Sequence, residues 1–105
     1  MLKRTILLLL FCASGLFGQS QYLFIPMDAD TQADHLKAYG ISYWVLSKGT
    51  KVKWLLNYRG GSFLVPNVEE IKNELIIRGV SYEEMTEAEV SSIVELVGSH
   101  WLVYT

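Results

Sequence analysis

Val52-Lys53-Trp54-Leu55-Leu56-Asn57-Tyr58-Arg59-Gly60-Gly61-Ser62-Phe63-Leu64-Val65 is the stretch whose reading decides the fold. Its first half, Val52 to Tyr58, has Trp54, Leu55 and Leu56 at its centre and reads as a strand. A glycine pair permits positive φ, so the chain turns sharply at Arg59-Gly60-Gly61-Ser62. Phe63 to Val65 is a further short apolar run, ended by Pro66. Two continuations are open: it folds back on the first half as a hairpin, or it leads onward to the next helix.

Upstream, Tyr22 to Met27 is a continuous apolar run ending at Pro26-Met27-Asp28, the pattern of a strand buried on both faces. Asp30 or Thr31 is placed to cap a following helix, with Asp34 in the first turn, where its charge meets the positive end of the helix dipole. Leu36, Tyr39, Tyr43 and Leu46 then recur at helical spacing until Gly49 supplies a stop. Gly40 stands mid-helix, at a cost of about 1 kcal/mol relative to Ala, and marks either a close-packing point or a break.

Downstream, Asn67 and Glu70 have capping-box spacing, and Val68, Ile71 and Leu75 line one helical face before Gly79. Val80 to Met85 reads as a third strand, with Val80, Tyr82 and Glu84 alternating against Ser81, Glu83 and Met85. Thr86 and Glu89 form a second capping box, followed by Val90, Ile93, Val94 and Val97 at the spacing of an amphipathic helix before Gly98. His100 to Tyr104 opens a further strand. The β-α-β-α-β-α order predicts an α/β fold with a partial parallel, Rossmann-like sheet wound by right-handed crossovers. Three strands and three helices leave that sheet incomplete, so a partner chain or a further carboxy-terminal part is expected to cover it.

At 105 residues there is room for one domain, and 50% hydrophobic with 19% charged residues is the balance of a folded chain. Residues 1–20 read as a signal peptide: Lys3 and Arg4, then the apolar Ile6 to Ala13, then the small residues of Ser14 to Ser20, with cleavage after Gly18 or Ser20. The apolar run is shorter than the ~20 residues that span a bilayer. Residues 21–105 are therefore expected to be a single partial α/β domain, exported to the periplasm or secreted, with no stable membrane anchor once the signal is cleaved.

Cys12, the one cysteine, lies inside the leader, and Leu10 and Phe11 before it do not suit lipid attachment. The mature chain then has no disulfide, thiolate zinc site or cysteine nucleophile. Nine basic residues less Lys3 and Arg4 leave seven against eleven acids, a mature net charge of −4. Such a chain repels polyanions, which argues against nucleic acid as a partner.

In an open parallel sheet ligands bind beyond the carboxyl ends of the strands. The candidate ligand-binding residues there are Asp28, His35, Asn57, Arg59, Gly60, Gly61 and Ser62, with Asp30 nearby. Arg59 to Ser62 could cradle an anion between amides, hydroxyl and guanidinium, or form a plain turn with a solvated arginine. No GxxxxGK[ST] or GxGxxG signature is present. Asp28 and His35 could act as a base and its orienting group, or as a cap and a helical surface residue. His35 and His100 lack ligand spacing, and Glu83, Glu84, Glu87 and Glu89 lack the alternation and glycine of a calcium loop, so no metal and no cofactor are implied. Tyr39, Tyr43 and Trp44 would line a sugar or aromatic pocket, or belong to the core.

Three segments, Phe24-Ile25-Pro26-Met27-Asp28, His35-Leu36-Lys37-Ala38-Tyr39-Gly40 and Trp54-Leu55-Leu56-Asn57-Tyr58-Arg59-Gly60-Gly61-Ser62-Phe63, resemble the start of an exported bacterial family commonly labelled asparagine synthetase B. Its members are several times longer than this chain, and the resemblance runs from about Gln21 to Val97. It implies an exported amino-terminal α/β fragment of a longer protein, without activity of its own. Its label implies an alternative, an amidotransferase- or ligase-like enzyme acting on a small amide or amino acid, with Asp28, His35 and Arg59 at the strand ends. No catalytic residue carries over, because the mature chain has neither an amino-terminal cysteine nor an SGGxDS loop. A third reading is a periplasmic module holding an anion or other small ligand at Arg59 to Ser62. Gly98 to Thr105 departs from the family pattern, as a truncated or frame-interrupted reading would.

Overall fold

In a computed structural model describing residues 20–97 and 101–104, the glycine pair folds the chain back on itself. Strands β2 (Val52–Leu55) and β3 (Ser62–Pro66) form an antiparallel hairpin with Lys53 opposite Leu64, Trp54 opposite Phe63 and Leu55 opposite Ser62. The turn closes because the amides of Gly61 and Ser62 both donate to the Tyr58 carbonyl, each at 3.1 Å, while Gly60 and Gly61 hold φ of 80° and 86°. The strand predicted over Val52 to Tyr58 is therefore shorter, and its last residues belong to the turn.

Around the hairpin lie β1 (Tyr22–Ile25), α1 (His35–Ser47), α2 (Glu69–Arg78), β4 (Glu83–Met85), α3 (Glu87–Val97) and β5 (Trp101–Tyr104). The five strands form one sheet in the order β4-β1-β3-β2-β5, and every neighbouring pair is antiparallel. This overturns the expected parallel, Rossmann-like sheet. The physical reason is the hairpin: β3 inserts between β1 and β2, so the two strands joined by α1 never touch. A β-α-β-β-α-β run with its four strands ordered 4-1-3-2 is the split βαβ, or ferredoxin-like, arrangement. Here α3 and β5 extend it, and β5 pairs along the outer side of β2.

Alternation along the strands builds a core on each face of the sheet. Leu23, Ile25, Val52, Phe63 and Val65 face α1 and α2, where they meet Ala38, Ile41, Val45, Ile71 and Leu75. On the other face Phe24, Leu55, Leu64 and Met85 meet Val90 of α3, with Ile93 and Val94 packed alongside. β1 and β3 are central strands covered on both sides, which is why they read as unbroken apolar runs. α3 thus covers the face that α1 and α2 leave open.

Local signals hold in part. Gly79 ends α2 with φ 69°, and Gly49, at φ 81°, follows the end of α1. The Thr86–Glu89 box forms, each backbone amide donating to the other's side chain at 3.2 Å. The α1 cap is Asp34, whose carboxylate accepts the Lys37 amide at 3.0 Å, rather than Asp30 or Thr31. The Asn67–Glu70 box does not form: Val68 is the N-cap, Asn67 donates to the Ser20 carbonyl and Glu70 pairs with Lys48. The third strand is only Glu83–Met85. The signal peptide with its cleavage sites and Cys12, and also Gly98 and His100, lie outside the described residues.

Candidate functional site

Most of the sequence-predicted site residues do meet, for a reason other than the expected one. β1 and β2 both run antiparallel to β3, hence in the same direction as each other, so their carboxyl ends reach one end of the sheet with one strand between them. The loop after β1 and the turn after β2 close on each other there. The Met27 amide donates to the Arg59 carbonyl at 3.1 Å, and a Cβ on Gly60 would lie 2.6 Å from the Met27 carbonyl oxygen. Only glycine fits that approach at that φ.

Arg59 is the centre of the cluster. Its Nη1 donates to Glu83 Oε2 at 2.7 Å, its Nη2 to Thr31 Oγ1 at 3.1 Å, and its Nε lies 3.4 Å from Asp28 Oδ1. Thr31 passes its own hydroxyl proton to Asp28 Oδ2. The guanidinium also lies over the Phe24 ring, 5.3 Å from its centroid, and that ring meets Tyr58 edge-on. Arg59 itself has a φ of 45°, the one non-glycine residue with positive φ among those described. One cation is thus ringed by two carboxylates and a hydroxyl, from the β1–α1 loop and β4.

The electrostatics follow from that ring. Asp28 is held below the usual carboxylate range chiefly by the Thr31 hydroxyl; burial opposes this, and its own amide and Arg59 add to it. Burial disfavours the Arg59 charge, but the Glu83 hydrogen bond and the charges of Glu83 and Asp28 outweigh it and raise its pKa.

The other candidates are also engaged within the chain. His35 Nε2 lies 2.9 Å from the Met27 carbonyl, which can only accept, so Nε2 carries the proton. The Ser62 hydroxyl is shared between the Tyr58 and Arg59 carbonyls, 2.9 Å from each. Asn57 is exposed in the turn and Asp30 on the β1–α1 loop. The anion cradle over Arg59 to Ser62 thus finds its hydroxyl, its guanidinium and two of its amides turned inward.

Sequence reasoning missed Glu83 and Thr31 as partners of Arg59, and missed Gln32 altogether. Gln32 is buried, and its side chain donates to the Pro26 and Ser81 carbonyls at 2.7 and 3.0 Å while accepting the Ser81 amide at 2.8 Å. One side chain ties the end of β1 to the α2–β4 connection 49 residues away. Nothing in the local pattern marks a lone glutamine for this, since its partners are backbone groups brought in by the fold.

A second, apolar feature lies between α1 and β2. A cleft of about 280 Å³ is lined by Tyr39, Ser42, Tyr43, Leu46, Trp54 and Phe63, among others. Trp54 and Phe63 stack at 6.1 Å, and Tyr39 meets Phe63 edge-on at 5.7 Å. Its polar atoms are directed inward: Ser42 Oγ donates to the Ala38 carbonyl and Trp54 Nε1 to the Gly61 carbonyl, both at 2.9 Å. Tyr39 and Tyr43 therefore line a pocket as one reading held, while Trp44 sits on the other flank of α1 beneath Lys48 and Arg78.

Comparison with protein-family models, with curated proteins and with solved structures found no match. Among the described residues no three His, Cys, Asp or Glu side chains converge as a metal site, and no helix is long and apolar enough to cross a membrane.

Proposed function

We propose that this chain is the exported α/β part of a protein resembling the family labelled asparagine synthetase B, and that it has no catalytic activity of its own. The observation that supports this reading is the state of the Arg59 cluster. A general base must reach its substrate proton, and a nucleophile or oxyanion donor must face the space where the reacting atom sits. Here the imidazole Nε2, the serine hydroxyl, the guanidinium and the turn amides all spend their hydrogen bonds on this chain's own carbonyls and carboxylates. The cluster clamps the β1–α1 loop, the β2–β3 turn and β4 together.

The test is direct. The secreted, processed chain is incubated with glutamine, asparagine and ATP, and titrated with inorganic phosphate. Ammonia release at the blank rate, with no saturable phosphate binding, is the expected result. Turnover of either amide would establish the amidotransferase- or ligase-like reading instead, and saturable phosphate binding lost in Arg59→Met would establish the anion-binding module.

A further inference from the structure

Helix α1 carries an outward stripe that the chain's own packing does not use. Ala38, Ile41, Ser42 and Val45 are buried against the sheet. On the opposite side Leu36, Tyr39 and Tyr43 are 81%, 51% and 74% exposed, with Gly40 between them. A surface helix normally presents charge outward, and one apolar on all sides is normally covered. The charges of α1 lie elsewhere. Lys37 shares a flank with Trp44 and Lys48, toward α2, and Lys48 is paired with Glu70 at 2.7 Å. His35 is turned to the Met27 carbonyl.

Gly40 gives the second observation. It is a costly residue in mid-helix, its φ is not among the positive ones, and a Cβ there would meet only Arg78 Nη1, at an ordinary 3.9 Å. Neither backbone conformation nor internal crowding calls for glycine. Arg78, the charge nearest to it, is engaged by Glu74 at 3.0 Å and lies over Trp44. What a missing side chain at that point does allow is close approach of another helix from outside.

We propose that this stripe, with the adjoining α1–β2 cleft, is where a second copy of this chain docks, α1 against α1 in antiparallel sense with Gly40 at the crossing. The pattern is self-complementary about Gly40. Leu36 lies four residues before it and Tyr43 three after, so a two-fold axis there sets Leu36 of each copy beside the partner's Tyr43, apolar against apolar, with no like charges opposed. At about 200 Å² per aromatic side chain, Tyr39 and Tyr43 together expose about 250 Å², against the ~800 Å² per partner of a standard interface. Leu36 and the cleft walls add to this without reaching an obligate interface, so the dimer is reversible, with a dissociation constant in the micromolar range.

Sedimentation equilibrium of the secreted chain, from about 1 μM to about 1 mM, tests this. The weight-average mass is expected to rise from one chain to two, and added salt to leave association unchanged or stronger, because the contact is uncharged and the copies share a net charge. Gly40→Arg and Tyr43→Glu each place a charge in the contact and are expected to weaken association at least tenfold. Arginine is a better helix former than glycine, so an undiminished helical circular-dichroism signal shows that Gly40→Arg is folded. A wild-type chain monomeric at every concentration would leave the stripe to some other partner and overturn the proposal. Variants that associate as the wild type does would also overturn it, by placing the contact elsewhere, such as the β5 edge.

Discussion

Gly60 rests directly against the Met27 carbonyl, so that a Cβ at position 60 would lie 2.6 Å from that oxygen and 2.9 Å from the Asp28 amide nitrogen. This backbone contact joins the hairpin turn to the end of β1, and the Arg59 cluster is built around it.

Gly60→Ala forces both a positive φ on an L-residue and a collision with backbone that has no rotamer to relax into. A loss on the order of 3 kcal/mol is expected. Gly61→Ala should cost clearly less, since its nearest neighbour is the Trp54 side chain at 3.1 Å, which has room to give. Urea unfolding followed by tryptophan fluorescence ranks the two; equal losses would mean that the Met27 contact does not exist in solution.

Gln32→Leu keeps the volume and removes the amide. The Pro26 and Ser81 carbonyls and the Ser81 amide then lose a buried partner, and each orphaned group costs about 1–3 kcal/mol. A drop of about 3 kcal/mol is expected, with accelerated hydrogen exchange at Ser81. A neutral Gln32→Leu would show that water replaces the amide and that the latch is dispensable.

Arg59→Met preserves the stem over Phe24 but leaves Asp28 and Glu83 without their shared cation. With the Arg59 side chain 28% and the Glu83 side chain 43% exposed, water screens part of the loss, and about 2 kcal/mol is expected. Glu83→Gln keeps an acceptor for Nη1 and should lose less than half as much. A double-mutant cycle between the two positions that shows no coupling would refute the clamp.

Acid should loosen the fold in a defined window. Asp28 is lowered chiefly by Thr31, and Glu84 chiefly by its hydrogen bond and ion pair with Lys72. A carboxylate whose folded pKa lies below its unfolded value, about 3.9 for Asp and 4.3 for Glu, stabilises fully above that value, and the stabilisation is lost as pH falls through the folded pKa. Urea midpoints should therefore hold from about pH 8 to 5 and fall below about pH 4. Asp28→Asn should flatten part of that fall. Lys72, raised chiefly by the Glu84 hydrogen bond, acts at the other end: its contribution is whole below about pH 10.4 and declines above it as the pH passes the raised folded value.

Much of this was legible along the chain. The apolar runs at 22–27 and 63–65, the glycine stops at 49 and 79, and the Thr86–Glu89 box depend on neighbours a few residues away, and each lies where the pattern places it. The two failed caps show the limit. Asp30, Thr31 and Asn67 had suitable side chains, but tertiary partners took Thr31 into the Arg59 cluster and Asn67 to the Ser20 carbonyl. The candidate site was right in membership and wrong in meaning. Asp28, His35, Arg59 and Gly60 converge, yet the groups that satisfy them, Glu83, Thr31 and the Met27 carbonyl, come from loops and a strand that no spacing rule links to them.

What local sequence determined by itself was the set of elements, the sharp bend at Gly60-Gly61, and the split between buried and charged segments, because these follow from short-range sterics and from hydrophobic periodicity. Strand direction and neighbourhood were left to tertiary structure. A strand that is covered on both faces carries no alternation to reveal which edge its partner will occupy, and the same glycine pair serves a hairpin or a connection. Whether Phe63 to Val65 pairs with Trp54 or moves on to α2 is decided by which arrangement buries Leu23, Ile25 and Leu64 on both sides at once, and that comparison exists only when the whole sheet is assembled.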